Sequence, residues 1–250
     1  MNELEEISKL SSYYNNNIDE IIRNIYNRLI TNINGRDYIL IKKNNNQVTI
    51  DKLLLKKNYV NKSLFVYINR NNWVELWSKK IDYIEYQLNH IENKYPIARD
   101  SIQYYIGLAE NAISYIRDTF NLKSNNELVV SHVRIMDKDI NMPQNIIIDY
   151  YSRDISEYLK YLFYYKKYDY VKITDFLKKA ELNEFSYRLI YGRMFFVTFY
   201  FDIFDNIINN EVGENELKKI LNRTIEYEDY IKNIYSIITE FVLIPEISWI

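Results

Sequence analysis

The sequence contains no cysteine and only four glycines among its 250 residues. The lack of cysteine excludes disulfide bonds, thiolate metal sites and cysteine nucleophiles. At an average usage of about 7%, glycine would occur far more often, and neither a Walker loop nor a G-x-G-x-x-G pattern is present. Loops that cradle phosphates need glycine because the backbone must approach the ligand closely. The sequence therefore offers no standard loop for binding a nucleotide.

Long apolar runs and a strong charge of either sign are also absent. The formal net charge is -2, so no overall basic field attracts nucleic acid or anionic lipid. No window reaches about 18 apolar residues without a charge, and a membrane span is not expected. The first ten residues, MNELEEISKL, are acidic and lack the apolar centre of a secretory signal. We expect a cytoplasmic protein that binds neither nucleic acid nor membrane.

Tyrosine, in contrast, is abundant, with 26 residues, and asparagine occurs in short runs. Together with the frequent isoleucine and lysine, this composition indicates a coding bias toward A and T rather than a function that depends on tyrosine. A hydrophobic content of 48% is enough for a proper core. Tyrosine suits the half-buried surfaces of helices and strands, so we expect it to serve packing.

The hydrophobic periodicity changes near residue 70. Before it, Asn34-Gly35 stands between two β-prone runs and predicts a hairpin, and two further strands are predicted at 47–50 and 63–68. After it, apolar residues recur at helical spacing. The helices are predicted over 73–91, 102–120, 152–166, 172–181, 184–210 and 214–241, with short strands at 127–132 and 145–149. The fold class is therefore α+β, with a small β-rich N-terminal lobe (1–70) and a larger, mainly helical C-terminal lobe (71–250).

Four segments of the helical part have a specific order and spacing. They are WVELWSKKIDYIEYQ at 73–87, YYIGLAENAISYI at 104–116, NIIIDYYSRDISEYLKYL at 145–162 and YRLIYGRMFFVTFYFDIF at 187–204. In this order they resemble the spore-coat kinase-like proteins, a branch of the aminoglycoside/choline phosphotransferase-like superfamily. The resemblance implies a protein-kinase-like fold, and it implies the spore coat as an alternative location to the cytoplasm.

The resemblance also assigns roles to residues of the segment 130–154. Active relatives use a His-x-Asp loop, whose aspartate orients and deprotonates the acceptor hydroxyl, and an asparagine and a later aspartate that hold Mg²⁺. His132 matches the histidine, but Arg134 occupies the place of the catalytic aspartate. Asn145 or Asn141 matches the asparagine, and Asp149 matches the metal-binding aspartate. The resemblance thus implies a degenerate catalytic loop, which would hold Mg-ATP only through residual nucleotide binding.

Further positions follow from the same resemblance. Asp154 matches a structural aspartate that ties the loop to the next helix, and Lys42 or Lys43 lies where the small lobe would carry its nucleotide-binding lysine. Asp137 and Asp139 could replace the missing base. Their spacing from the histidine is wrong for that role, and the surrounding MDKD sequence is typical of a polar loop.

Two chemical arguments speak against phosphotransfer. A guanidinium cannot accept a proton near neutral pH, so Arg134 cannot replace a base. The kinase lysine needs a glutamate on a helix beside it, and no glutamate occurs between Asn44 and Ser63. We therefore expect a catalytically degenerate, sporulation-related binding or scaffold module with a protein partner and no cofactor. The alternative is a phosphotransferase that uses ATP and Mg²⁺ with an atypical catalytic loop. Nothing in the sequence indicates the oligomeric state.

The same residues also have purely structural interpretations. His132 could be a buried histidine held by a hydrogen bond. Asp149 could cap the helix that starts near Ser152, since an aspartate there satisfies free N–H groups. Arg134 and Arg153 could pair with Asp149 or Asp154 in an ionic network. These alternatives remain open at the level of the sequence.

Overall fold

The computed structural model describes residues 30–33, 36–39, 50, 54–55, 57, 69–91, 94–122, 128–135 and 145–248. In these ranges helices predominate, and the strands form two antiparallel pairs. The strands are β1 (Ile30–Ile33), β2 (Arg36–Ile39), β3 (Leu128–His132) and β4 (Ile146–Tyr150). The helices are α1 (Trp73–Ile91), α2 (Pro96–Phe120), α3 (Tyr151–Tyr164), α4 (Tyr170–Lys179), α5 (Glu184–Phe195), α6 (Thr198–Ile208), α7 (Asn215–Leu221) and α8 (Thr224–Thr239).

The N-terminal hairpin is present as predicted. Strands β1 and β2 pair antiparallel, with Ile33 opposite Arg36, so that the connection is the two-residue Asn34-Gly35. The strand predicted at 47–50 is wrong at Ile50, which is helical, and its other residues lie outside the described part. The strand predicted at 63–68 also lies outside it, as does Lys42. The proposed boundary between lobes at residue 70 stays a prediction.

The two long helices confirm the apolar stripes of the sequence. Helix α1 ends before Pro96, and α2 begins at this proline, whose missing N–H costs nothing at the first helical position. The inward face of α2 includes Ile102, Ala109 and Ile116, each with no exposed surface. None of the helices in the described part of the chain is long and apolar enough to cross a membrane.

The hairpin of β3 and β4 connects the long helices to α3. Its strands pair antiparallel with Val130 opposite Ile148, and Asn69 bridges to Ile148 on the other side of β4. The chain then passes directly into α3, because β4 ends at Tyr150 and the helix begins at the next residue. Both short strands and this helix were predicted. They place the segment that resembles a catalytic loop against α1, α5 and α6.

Two helices that the sequence predicts as continuous are each divided in the structure. The segment 184–210 forms α5 and α6, which are separated at Phe196 and Val197, and 214–241 forms α7 and α8. Phe196 has non-helical backbone angles (φ −81°, ψ 91°), and its carbonyl accepts a hydrogen bond from Lys160 Nζ at 2.9 Å. At the second division, the Arg223 guanidinium donates to the Phe163 carbonyl at 2.9 Å. Neither division has a glycine or proline, so no local signal marks it.

Helices α2 and α5 approach each other closely at Gly192, as its place in a helical pattern predicts. A Cβ atom at this position would lie 2.8 Å from Ile116 Cδ1 and 2.8 Å from Tyr115 Cδ1. Real Cβ atoms do not tolerate such distances, and close packing leaves the neighbours little room to move. Glycine is therefore required here by the helix contact.

We expect Gly192→Val to lower the free energy of unfolding by about 1–3 kcal/mol, the usual cost of overpacking a core. The measurement is urea unfolding, with helix content followed by circular dichroism. Gly213→Ala is the control, since a Cβ at Gly213 meets no atom within 4 Å, and its stability should stay within about 0.5 kcal/mol of wild type. Equal stability of the Gly192 variant and wild type would contradict this account of the α2–α5 contact.

Candidate functional site

Eight charged side chains lie where β3, β4 and the first turns of α3 meet α5 and α6. We call this group the ionic cluster. Its basic members are Arg134, Arg153, Lys160 and Arg193, and its acidic members are Asp149, Asp154, Glu157 and Asp202. Helix α3 alone contributes four of these side chains at helical spacing, and all four are buried. The cluster includes three residues to which the sequence resemblance assigns roles: Arg134, Asp149 and Asp154.

Asp149 forms the buried end of the ionic cluster. Its side chain has no exposed surface. Trp73 Nε1 donates to Oδ1 at 2.8 Å, Arg153 Nη1 donates to Oδ2 at 2.8 Å, and the Tyr150 backbone N–H donates to Oδ1 at 2.7 Å. Burial raises the pKa of Asp149, while Arg153 and Arg193 act in the opposite direction. Both carboxylate oxygens are thus engaged by donors of the protein itself.

Arg153 fastens the first turn of α3 to the end of β3. Besides Asp149, its guanidinium donates from Nε to the carbonyl of His132 at 2.8 Å and from Nη2 to the carbonyl of Val133 at 3.3 Å. These two carbonyls lie at the C-terminal end of β3. Arg153 therefore satisfies backbone acceptors that the two-stranded sheet leaves without a partner, which makes its burial tolerable.

His132 and Asp154 form the second pair between β3 and α3. The Asp154 carboxylate accepts from the His132 backbone N–H at 2.7 Å and lies 2.7 Å from His132 Nδ1. Burial lowers the pKa of His132, but the Asp154 carboxylate outweighs this effect and leaves the pKa above its ordinary value. The histidine is thus a hydrogen-bonded partner of Asp154. The imidazole is positioned by this pair against α3.

Arg134 points toward α6 and forms a bidentate ion pair there. Its Nε lies 3.0 Å from Asp202 Oδ2, and its Nη2 lies 2.8 Å from Asp202 Oδ1. Its Nη1 donates to the Val133 carbonyl at 2.9 Å and lies 3.9 Å from Glu157 Oε2. Burial lowers the pKa of Arg134, but Glu157 and Asp202 more than offset this and raise it. The position that corresponds to a catalytic base is therefore held by a permanent cation.

Asn145 holds the backbone of Arg134. Its Oδ1 accepts from the Arg134 N–H at 2.8 Å, and its Nδ2 donates to the Arg134 carbonyl at 2.8 Å. The Val133 N–H also donates to the Asn145 carbonyl at 2.8 Å. The side-chain amide thus extends the β3–β4 ladder by one step. Its observed role is to fix the conformation of the segment that contains Arg134.

Arg193 brings the aromatic residues of α1 into the site. Its Nε and Nη2 donate to Glu157 Oε1 at 3.1 and 2.9 Å. Its guanidinium lies over the ring of Trp73 at 4.6 Å and over Trp77 at 5.4 Å, and the negative face of an indole stabilises a cation. Among the described residues its Nη1 has no hydrogen-bond partner, and burial lowers its pKa to about 10.

The remaining basic member, Lys160, lies at the edge of a pocket of about 250 Å³. Its Nζ is 2.9 Å from the Phe196 carbonyl and 3.5 Å from Glu157 Oε1. Arg134, Glu157 and Asp202 line the same pocket, together with aromatic side chains of α3 and α6. The ionic cluster is therefore accessible from one side, between α3 and α6.

The structure brings together five of the residues named from the sequence. These are His132, Arg134, Asn145, Asp149 and Asp154. Lys42, Lys43, Asp137, Asp139 and Asn141 lie outside the described residues. The interpretation of Asp149 as a helix cap is wrong, because α3 has Tyr150 at its N-cap and no side-chain capping bond. The predicted ionic network exists in part: Arg153 pairs with Asp149, but the partners of Arg134 are Asp202 and Glu157.

Sequence reasoning missed four members of the cluster: Glu157, Lys160, Arg193 and Asp202. A signal for the first two was available, since Arg153, Glu157 and Lys160 recur at helical spacing beside the buried Ile155 and Leu159. Charges on the same face as core residues indicate a buried network. No sequence pattern links Arg193 or Asp202 to the charges of α3, because these residues lie on other helices that meet the cluster only in the folded chain.

Mg²⁺ does not fit the site in this arrangement. Magnesium binds oxygen ligands in a near-octahedral shell, whereas both Asp149 oxygens accept hydrogen bonds and the nearest charged neighbour is a guanidinium. Among the described residues, no three aspartate, glutamate or histidine side chains form a group that could hold a metal ion.

We expect the His132–Asp154 pair to make stability depend on pH. Because the pKa of His132 is raised in the folded state, its contribution is fully present below about pH 6.5 and is lost as the pH rises through the folded pKa. Asp154→Asn should therefore cost about 1.5–3 kcal/mol at pH 6, the value of a hydrogen bond to a charged group, and less at pH 9. The measurement is urea unfolding of both proteins across this range.

Asp169→Asn is the matched control for that experiment. Asp169 caps α4 through the N–H groups of Val171 and Lys172 and has no histidine partner. Its substitution should change stability by the same amount at every pH between 6 and 9. An Asp154→Asn cost that is also constant would show that His132 does not titrate against Asp154.

Comparisons with known proteins agree with the resemblance that the sequence segments indicate. A family model described as "Spore coat putative kinase YutH" matches residues 1–234. The endospore coat-associated protein YutH of Bacillus subtilis (strain 168) is 26% identical over an alignment of 206 residues, and the match covers 71% of this chain and 61% of that protein. No solved structure matches the chain. Since the family model covers nearly all of the sequence, the chain belongs to the YutH family of spore coat kinase-like proteins.

Proposed function

We propose that this protein is a catalytically degenerate kinase-like protein of the spore coat, which acts as a binding or scaffold module for a protein partner. The observation that supports this most is the burial and hydrogen bonding of the Asp149 carboxylate. It has no exposed surface, and its oxygens accept from Trp73, Arg153 and the backbone of Tyr150. To coordinate Mg²⁺, the carboxylate would have to give up these bonds and leave the Arg153 charge buried without its partner, which costs several kcal/mol.

The residue at the place of the catalytic base supports the same conclusion. Arg134 is bound to Asp202 by two parallel hydrogen bonds, a geometry that is specific to guanidinium and carboxylate groups. A guanidinium does not accept a proton at neutral pH. Asn145, which a kinase would use on the metal, instead bonds both backbone groups of Arg134. All three positions are thus occupied by interactions that stabilise the fold.

A scaffold role requires a rigid site and no turnover. The buried pairs fix α3 against β3, α5 and α6, and such a network favours one arrangement of these elements. A role in sporulation is supported by the family and by the Bacillus subtilis relative, which is named as an endospore coat-associated protein. The chain spans 61% of that relative's length, so its partner and location are part of the proposal.

The first experiment measures thermal unfolding with and without millimolar ATP and Mg²⁺. A ligand at 100 times its Kd adds about 2.7 kcal/mol, which corresponds to roughly 5–10 °C in a domain of this size. We expect no metal-dependent rise in Tm in the wild type. Asp149→Asn should lower Tm equally in both conditions, because it leaves buried guanidinium groups without an anion. A rise that needs both ATP and Mg²⁺ and disappears in Asp149→Asn would favour the phosphotransferase alternative.

The second experiment tests function in a spore-forming cell. Lys42→Met removes the lysine that the family resemblance assigns to the nucleotide. Since the proposed role needs no phosphotransfer, the tagged variant should enter the extracted coat fraction at the wild-type level. Lys43→Met and the double variant are measured in the same way, because the resemblance allows either lysine at that place. Loss of coat association in the double variant, with unchanged Tm, would contradict a non-catalytic role.

A further inference from the structure

Lys160 has a position that the proposed scaffold role does not require. It lies in the third turn of α3 with a relative exposure of 3%, and it is the only lysine of the described residues that is buried. A lysine normally keeps its ammonium group in water, because burial of an unpaired charge is costly. Lys160 instead lies in the interior, next to the core residue Leu159, which has no exposed surface.

The pocket in front of Lys160 has aromatic walls. It has a volume of about 250 Å³ and opens to solvent between α3 and α6. Its walls include Tyr161, Tyr164, Tyr165, Phe199 and Ile203. Pockets for drug-sized ligands have about 300–1,000 Å³, so this one suits a smaller molecule. The wall chemistry favours an aromatic or other apolar body.

The charges around Lys160 favour its neutral form. Burial lowers its pKa, and so do the guanidinium groups of Arg193, Arg134 and Arg153, while Glu157 acts in the opposite direction. The result is a pKa of about 7. Lysines that form Schiff bases are often desolvated and close to other cationic groups, as Lys160 is.

The geometry leaves the amine available for attack. A neutral amine has two N–H bonds and one lone pair, and the Phe196 carbonyl at 2.9 Å and Glu157 Oε1 at 3.5 Å accept from its N–H groups. The pKa of Glu157 is far below its usual range, despite burial, because Lys160 and the arginines lie nearby. The three arginines act on Glu157 whether or not Lys160 is charged, so Glu157 stays an acceptor. None of the described residues donates a hydrogen bond to Nζ.

From the pocket and the position of Nζ we infer that Lys160 captures a small apolar aldehyde as an imine. The Nζ lone pair attacks the carbonyl carbon, and one amine proton passes to the former carbonyl oxygen to give a carbinolamine. The second amine proton then passes to the same oxygen. That oxygen leaves as water, and a C=N bond to Nζ remains. No oxidant or further reactant is needed.

The test uses the full chain and benzaldehyde with cyanoborohydride, which converts an imine into a stable secondary amine. At pH 7 an ordinary lysine, with a pKa near 10.4, has on the order of a thousandfold less neutral amine than Lys160. With limiting aldehyde, peptide mass spectrometry should find Lys160 labelled at least about tenfold more than any other lysine. The labelling rate of Lys160 should level off above about pH 7, whereas that of surface lysines should continue to rise.

Three variants separate the pocket from general amine reactivity. Lys160→Met keeps the apolar stem and should remove the dominant adduct. Lys172→Met is the matched control, since the Lys172 side chain is 83% exposed, and should leave the labelling unchanged. Ile203→Trp fills the pocket without touching the amine and should reduce Lys160 labelling at least about tenfold, with its Tm confirming that it folds.

Two results would overturn the inference. One is labelling spread over surface lysines with Lys160 unmodified, which would mean that the amine is inaccessible or charged. The other is equal labelling of Lys160 in wild type and Ile203→Trp, which would mean that the pocket does not bind the aldehyde. Both are independent of ATP, so they leave the test of the scaffold proposal unaffected.

Discussion

The burial of charge on α3 is the constraint on which the rest of the described structure depends. A helix that places the ions Arg153, Asp154 and Glu157 and the amine of Lys160 in the interior cannot fold alone, because each buried ion loses several kcal/mol of hydration and a buried amine needs a hydrogen-bond partner. Each charge must therefore meet an opposite charge or a backbone carbonyl from another element. The partners come from β3, β4, α5 and the turn at Phe196, and Arg193 additionally lies on the indoles of α1. The positions of four elements are consequently fixed by one helix.

The same constraint determines which bonds are made by the segment that resembles a catalytic loop. An active phosphotransferase keeps its base and its metal ligands accessible to substrate, and the ligand oxygens are free to coordinate a metal. Here Asp149 and Asn145 face inward and are satisfied by Trp73, Arg153 and the Arg134 backbone. The Asp149 carboxylate cannot use the same oxygens to pair with a buried cation and to coordinate Mg²⁺. Arg134, at the position to which the resemblance assigns a catalytic aspartate, adds a cation, and Asp202 on α6 pairs with it.

Elements with a strong local signal could be predicted from the sequence, and elements set by distant contacts could not. The hairpin at Asn34-Gly35, the long helices α1 and α2, and the two strands before α3 follow from turn chemistry and periodicity. The break between α5 and α6 does not, because it is fixed by the contact of the Phe196 carbonyl with Lys160, 36 positions away. The site divides in the same way. His132, Arg134 and Asp149 lie in one recognisable segment, whereas Arg193 and Asp202 join it only through folding.

The tyrosine content has a structural consequence even if coding bias is its origin. Several tyrosine hydroxyls donate to backbone carbonyls of other helices: Tyr227 to Met194 at 2.7 Å and Tyr230 to Leu159 at 3.0 Å. In both cases burial raises the pKa of the phenol well above its ordinary value, so it stays a donor. Such residues fill the core with a ring and still satisfy a carbonyl. Tyr230 donates to the carbonyl of Leu159, the residue before Lys160. Helix α8 therefore helps to fix the turn of α3 that contains Lys160.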